Sequence, residues 1–278
     1  MKFDLYEKAK EKIIVVAHRG MFAGNIPCNT IPAFNAALTE GADMIELDVD
    51  MSAEGKLYIF HPGMEVPFLG ISNKIPNMTN DEVEAQRYLN YDGTPTDYGL
   101  ATFDDVMEEF KGRCFINVDK FWGHPEEIYH AINRHGIQEQ ILVKSAINDK
   151  VISVLKNLAP DIAFMPIVSR KHPMHKDLLA SGVNYIGAEA LFYEDEDEVC
   201  SEEFINTMHR DGKFVWANSI IYNHKAQIAA GHSDDTSILG NPELGWGWLA
   251  NRGFDFIQTD WVGIMSRYLN EKGLLYKN

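Results

Sequence analysis

The chain is poor in cysteine, in positive charge and in long apolar runs. Its three cysteines, Cys28, Cys114 and Cys200, lie far apart and in no metal-ligand spacing. A thiolate metal centre or a disulfide framework is therefore not expected, and the three read as free thiols of a reducing compartment. Lysine and arginine number 25 against 41 aspartates and glutamates, a formal net charge of −16 at pH 7. Nucleic acid and anionic membrane surfaces are repelled by that sign, and neither is expected as a partner. No window approaches the roughly 18 apolar residues of a membrane span. The opening segment MKFDLYEKAKEK has no apolar core of a signal peptide, so a cytoplasmic protein without membrane insertion is expected. Finally, no GxGxxG follows an apolar run and there is no P-loop, which removes the main argument for a dinucleotide-binding sheet.

What is present is a regular alternation. The 278 residues are 45% hydrophobic and 24% charged, ordinary for a globular chain. Short runs rich in Ile, Val and Phe recur at 13–18, 44–50, 114–119, 141–145, 162–168, 184–190, 213–219 and 255–260. They have the length and composition of strands buried on both faces. Helical patterns at 31–41, 125–136, 149–160, 201–212 and 261–273 lie between them, several ending in Gly or Pro. Eight strands separated in this way predict a single (β/α)₈ barrel domain over residues 1–278. Two segments fall outside the repeat: 51–101, with a short strand at 56–61 and then Pro67, Pro76 and Pro95, and 220–248, rich in Gly, Asn and Asp. Both are expected to be insertions serving the face where the chemistry happens.

In such a barrel the functional side chains belong at the carboxyl ends of the strands. Glu46 and Asp48 are two apart in MIELDVD (44–50), so both carboxylates point to the same face, and Asp119 arrives from the next barrel strand. Three convergent carboxylates suit a hard divalent cation such as Mg²⁺ or Ca²⁺. The alternative is a buried ion network in which Arg19 and Lys120 neutralise the acids. Asn117 shares the face of Asp119 and is a fallback ligand, whereas Lys120 reaches that face only if the strand ends there and the chain turns. His18 and His61, at two strand ends, are the candidate acid and base. Arg19 has the fork geometry for phosphoryl oxygens. His172, His175, His224 and His232 fall in loops without a zinc-ligand pattern and are expected to be solvated.

VAHRG (16–20), P-x-NT (27–30), IELDV (45–49) and a strand ending in His61 resemble the glycerophosphodiester phosphodiesterase family, and LATFDDVMEEF (100–110), FINVDK (115–120), KS (144–145), VWAN (215–218) and FDFIQTD (254–260) continue the likeness. The resemblance implies a (β/α)₈ barrel with a small insertion after the second strand. It implies one divalent cation, Mg²⁺ or Ca²⁺, on Glu46, Asp48 and Asp119, with His18 and His61 sharing the roles of general base and acid in either order, Arg19 and Lys120 as substrate contacts, and Trp216 either as a substrate contact or as a core residue. The implied activity is hydrolysis of a small glycerophosphodiester to a phosphomonoester and an alcohol. A phospholipase D-like enzyme that stops at a cyclic phosphate, and a silent barrel that binds a phosphorylated metabolite, are the alternatives. The chain departs from the family's pattern at Cys28, where the family has Glu, at Pro62 after His61, and at Lys120 directly after Asp119.

Overall fold

In the computed structural model, which describes residues 3–223 and 226–277, the apolar runs become strands. Among the described residues these are β1 (Ile14–Ala17), β2 (Met44–Met51), β3 (Leu57–Ile59), β4 (Phe115–Asp119), β5 (Ile141–Ser145), β6 (Ala163–Ser169), β7 (Gly187–Leu191), β8 (Phe214–Asn218), β9 (Ile221–Asn223), β10 (Ala226–Gln227) and β11 (Phe256–Thr259). Eight of them run parallel in the order β1-β11-β8-β7-β6-β5-β4-β2, and a β1–β2 pairing closes the ring. The architecture is a (β/α)₈ barrel. Its outer helices start where the sequence offers caps: Thr30, Thr102, Asn148 and Ser201 each accept a hydrogen bond from a first-turn backbone N–H.

Side chains alternating along the strands fill the barrel in two chemically distinct layers. At the amino-terminal end Ile14, Met44, Phe115, Leu142, Met165 and Phe256 form an apolar plug. One register step higher the inward positions are polar and buried: Glu46, Asn117, Lys144, Glu189, Asn218 and Gln258. The plug is tight enough to demand glycine at 187, where a Cβ would lie 2.3 Å from the Phe214 carbonyl oxygen. The outward faces of the strands and the inner faces of the helices make the larger core.

The two segments outside the repeat hold more structure than their composition suggests. In the first, β3 pairs antiparallel with the outer end of β2 (Val49↔Ile59). It is followed by helices Glu65–Leu69 and Asn80–Glu84, around a small core that includes Tyr58, Phe60, Leu69, Ile75, Val83 and Tyr88. Of the two forms open to this insertion, a loop or a cap, the structure has a packed cap. The second segment contributes the β9–β10 pair and helix Asp234–Leu239; His224 lies outside the described residues. No helix among the described residues is long and apolar enough to cross a membrane.

Candidate active site

The parallel register of β2 and β4 sets Glu46 beside Asn117 and Asp48 beside Asp119. Because the side chains two apart share a face, the three acids converge, and one oxygen from each of Glu46, Asp48 and Asp119 lies within 4.8 Å of the others. Glu46 and Asp48 are 2% and 1% exposed. Unpaired charges so buried would cost several kcal/mol each, and the surroundings offset only part of this. Arg19 Nε stands 2.9 Å from Asp48 Oδ2, its backbone N–H donates to Glu46 Oε2 at 2.9 Å, and Lys120 Nζ donates to Asp119 Oδ2 at 2.9 Å. Asp48 Oδ1 and Asp119 Oδ1 remain buried without a hydrogen-bond partner among the described residues. Burial, with the charge of Asp48 beside it, pushes the Glu46 carboxyl up to about 7. Burial acts the same way on Asp119, but Lys120 and Lys144 outweigh it and hold that carboxyl below its ordinary value. Two unspent acceptors and a reluctant third acid, all hard oxygens, fit a divalent cation. The ion network foreseen as the alternative is present as well, with Lys120 Nζ 3.7 Å from Asp48 Oδ1, but it leaves both oxygens without a hydrogen bond among the described residues.

Tight local turns deliver the remaining groups. Arg19 follows β1 in the left-handed region at φ 55°, and so does Asn29 at φ 57°. Asn29 N–H donates to the Arg19 carbonyl at 2.9 Å, which folds the loop back. Its amide then donates to Asp48 Oδ2 at 2.9 Å, and its Oδ1 accepts from the Asp48 backbone N–H at 3.3 Å. Gly20, at φ 82°, presses on helix Ile31–Thr39: a Cβ there would lie 2.7 Å from the Ala33 carbonyl carbon. Lys120 also takes φ 60°, so the chain leaves β4 abruptly and the ammonium returns to the face of Asp119. The strand ends where Lys120 needs it to.

His18 Nδ1 and Asp260 Oδ1 are 2.8 Å apart. Burial disfavours the charged ring, yet the bond to Asp260 and the charge of Glu46 outweigh it and raise the pKa of His18. Asp260 is itself held from the second inserted segment, since its backbone N–H donates to Asp234 Oδ2 at 2.8 Å. Asp234, 2% exposed, also accepts from the Ser219 and Thr259 hydroxyls and the Trp246 indole at 2.6–2.7 Å. His61, just beyond β3, donates from Nδ1 to the Pro62 carbonyl at 2.9 Å and places Nε2 3.9 Å from Asp48 Oδ1. Burial lowers its pKa, with Arg19 and Lys120 adding to the effect against the pull of Asp48.

A cavity of about 240 Å³ opens over the carboxylates, and His18, Arg19, Glu46, His61, Asp119 and Lys120 line it. Lys144, Glu189, Asn218 and Gln258 form its polar floor; Lys144 Nζ lies 3.1 Å from Glu189 Oε2 and donates to Gln258 Oε1 at 3.2 Å. Trp216, expected as a substrate contact, does not line this cavity. Its fully buried ring stacks on Phe256 at 5.4 Å beneath Lys144 Nζ, which is 4.1 Å above it. The site residues that sequence reasoning missed are Asn29 and Asp234, with a signal only for the first, in the NT of P-x-NT; Asp260, the last residue of FDFIQTD, lies at a strand end, where functional side chains are expected.

Nor are the described loop histidines solvated. His172, 5% exposed, and His175 both meet Tyr185 Oη at 2.9 Å, and His175 Nε2 lies 2.9 Å from Asp211. His232 stacks on Trp248 at 3.6 Å.

DUF4996, a family described only as a domain of unknown function, matches residues 164–269. A glycerophosphodiester phosphodiesterase of Caldanaerobacter subterraneus is 26% identical over 159 residues, 54% of this chain and 65% of that protein. A second such protein, from Bacillus altitudinis, is 29% identical over 143 residues, while a Bacillus subtilis relative at 26% identity is uncharacterized. The chain spans less than two thirds of the length of the curated relatives it matches first. Among solved structures, a glycerophosphoryl diester phosphodiesterase from Parabacteroides distasonis superposes with a TM-score of 0.77 at 14% identity, covering 100% of this chain and 98% of the other. A phosphodiesterase from Oleispira antarctica, in complex with the product sn-glycerol-3-phosphate, superposes at TM-score 0.71 and 20% identity, covering 93% and 97%. At these identities the structural likeness establishes the barrel fold.

Proposed function

We propose that this protein hydrolyses a small glycerophosphodiester-type phosphodiester to a phosphomonoester and an alcohol. The observation that carries the reading is the convergence of three carboxylates, two buried and one half-buried, two of them with oxygens that have no hydrogen-bond partner among the described residues, beside two histidines and two cationic side chains. The likeness to glycerophosphodiester phosphodiesterases supports the substrate class. Glu46, Asp48 and Asp119 would hold one divalent cation, Mg²⁺ or Ca²⁺, whose charge would stabilise the non-bridging phosphoryl oxygens.

The chain's own residues divide the remaining work. Arg19 and Lys120 orient the phosphoryl group and share its developing charge. The Pro62 carbonyl can only accept, so His61 Nδ1 carries the proton and leaves the Nε2 lone pair free to take one: His61 is the base. His18 faces the Asp260 carboxylate, which stabilises an imidazolium: His18 is the acid that gives a proton to the leaving oxygen. Asp260 and Asp234 hold that ring in place.

Phosphorus NMR of a panel of glycerophosphodiesters tests this. Phosphomonoester should appear with Mg²⁺ or Ca²⁺, vanish after chelation and return on adding the metal. His18→Ala and His61→Ala should each slow turnover by about 10²–10⁴-fold. Turnover that survives complete metal removal refutes the cation assignment, and a cyclic phosphate accumulating as final product refutes hydrolysis.

A further inference from the structure

Arg19 lines two cavities. The second, of about 400 Å³, lies between the loop after β1 and the cap built by the first inserted segment. Phe22, Ile26 and Pro27 face it from the loop, and Phe68, Leu89 and Tyr91 from the cap. Arg19 is the only charged residue in its lining among the described residues. Its polar groups are few, and two of them, Asn25 and Asn90, are hydrogen-bonded to each other across the gap. Cys28 is a lining residue too, a buried thiol at the position where the resembled family carries a carboxylate; burial pushes it up to about 12, so it stays neutral. The cap wall is firm, because Phe68 packs against Phe60 and Tyr88 with ring centroids 6.4 Å apart in each case. At the rim, Phe22 is 44% and Tyr91 95% exposed.

We infer that this cavity receives the leaving alcohol of the phosphodiester and selects an uncharged, apolar alcohol over glycerol or a quaternary-ammonium alcohol. The inference rests on the hydrolase reading above. Arg19 joins the two cavities, so a phosphoryl group held by its guanidinium has one ester arm over the carboxylates and the other at the mouth of the second cavity. An apolar arm would gain by covering Phe22 and Tyr91. A polyol would give up hydration there for few partners. A cationic head would find aromatic faces but no carboxylate, and it would approach the Arg19 charge.

The test is a series of glycerol-3-phosphoalkyl diesters with ethyl, butyl and hexyl leaving alcohols, beside the choline ester and its neutral isostere, the 3,3-dimethylbutyl ester. We expect kcat/KM to rise about threefold per added methylene before levelling, and the dimethylbutyl ester to exceed the choline ester about tenfold. Phe22→Asp and Leu89→Asp should each flatten the hexyl-to-ethyl ratio toward one, a ratio that a general loss of fold does not move. A flat series, or a preference for choline, with the diesters still turned over, overturns the inference and leaves the hydrolase reading standing. If no diester is turned over, equilibrium dialysis of hexyl phosphate against ethyl phosphate decides. Tighter hexyl binding that Leu89→Asp abolishes keeps the cavity assignment without hydrolysis; equal binding discards both.

Discussion

Asn29 does for Asp48 what a cation could not do alone: one amide fixes both an oxygen and the backbone of this proposed ligand. Groups that orient ligands in this way typically contribute 10–100-fold to metal affinity. Asn29→Ala is therefore expected to weaken Mg²⁺ or Ca²⁺ binding by about that factor in a calorimetric titration while the protein stays folded; an unchanged affinity would mean that β2 alone sets the ligand. The three carboxylates were legible because strand periodicity of two is a local rule, and the alternation in MIELDVD announces it. Asn29 was not, because its role depends on a left-handed turn that returns the loop to a strand 19 residues further on. Lys120 shows the same limit from the other side. Strand alternation places it on the wrong face, and one residue at φ 60° cancels the rule.

At the scale of elements, the loop after β6 and the helix His175–Ala180 are tied to the barrel by a chain of polar contacts, His172–Tyr185–His175–Asp211. His172 packs against Phe204, and its Nδ1 has no partner among the described residues. Burial, with His175 nearby, pushes its pKa down to about 4. An unfolded histidine titrates near 6.5. Below that pH the unfolded chain binds a proton that the native ring refuses, so this stability is complete above about pH 6.5 and is lost as the pH falls toward about 4. Thermal midpoints measured from pH 7 to pH 5 should drop by about 2–5 °C more in the parent protein than in His172→Phe; parallel profiles would show that the ring is already charged in the native state. Nothing in RKHPMHK marks these rings as buried, because their partners Tyr185, Asp211 and Phe204 come from later elements. The barrel strands were readable one by one from their Ile, Val and Phe content. The core of the first inserted segment was not, since beyond the run at 57–60 its apolar residues Leu69, Ile75, Val83 and Tyr88 are scattered among polar ones and converge only after β3 has paired with β2.

For the whole molecule, the net charge of −16 and the cationic pair Arg19 and Lys120 act on different length scales. At 10 mM salt the protein's field reaches about 30 Å, and at 150 mM about 8 Å. An anionic diester approaching the barrel feels the distant repulsion before the local attraction, so kcat/KM at saturating metal should rise about twofold across that range; a fall would mean that the mouth of the cavity governs the encounter instead. The barrel also joins its own ends at the site. His18 leaves the first strand and Asp260 follows the last, 242 residues later. On a ribosome adding roughly 5–20 residues each second, His18 is made early and Asp260 many seconds afterwards. Asp234, which holds Asp260, also comes late in the chain. A chain that stops short of Asp260 lacks one half of the His18–Asp260 pair, so on the proposed role of His18 activity would arrive only with ring closure, and a nascent barrel would be silent.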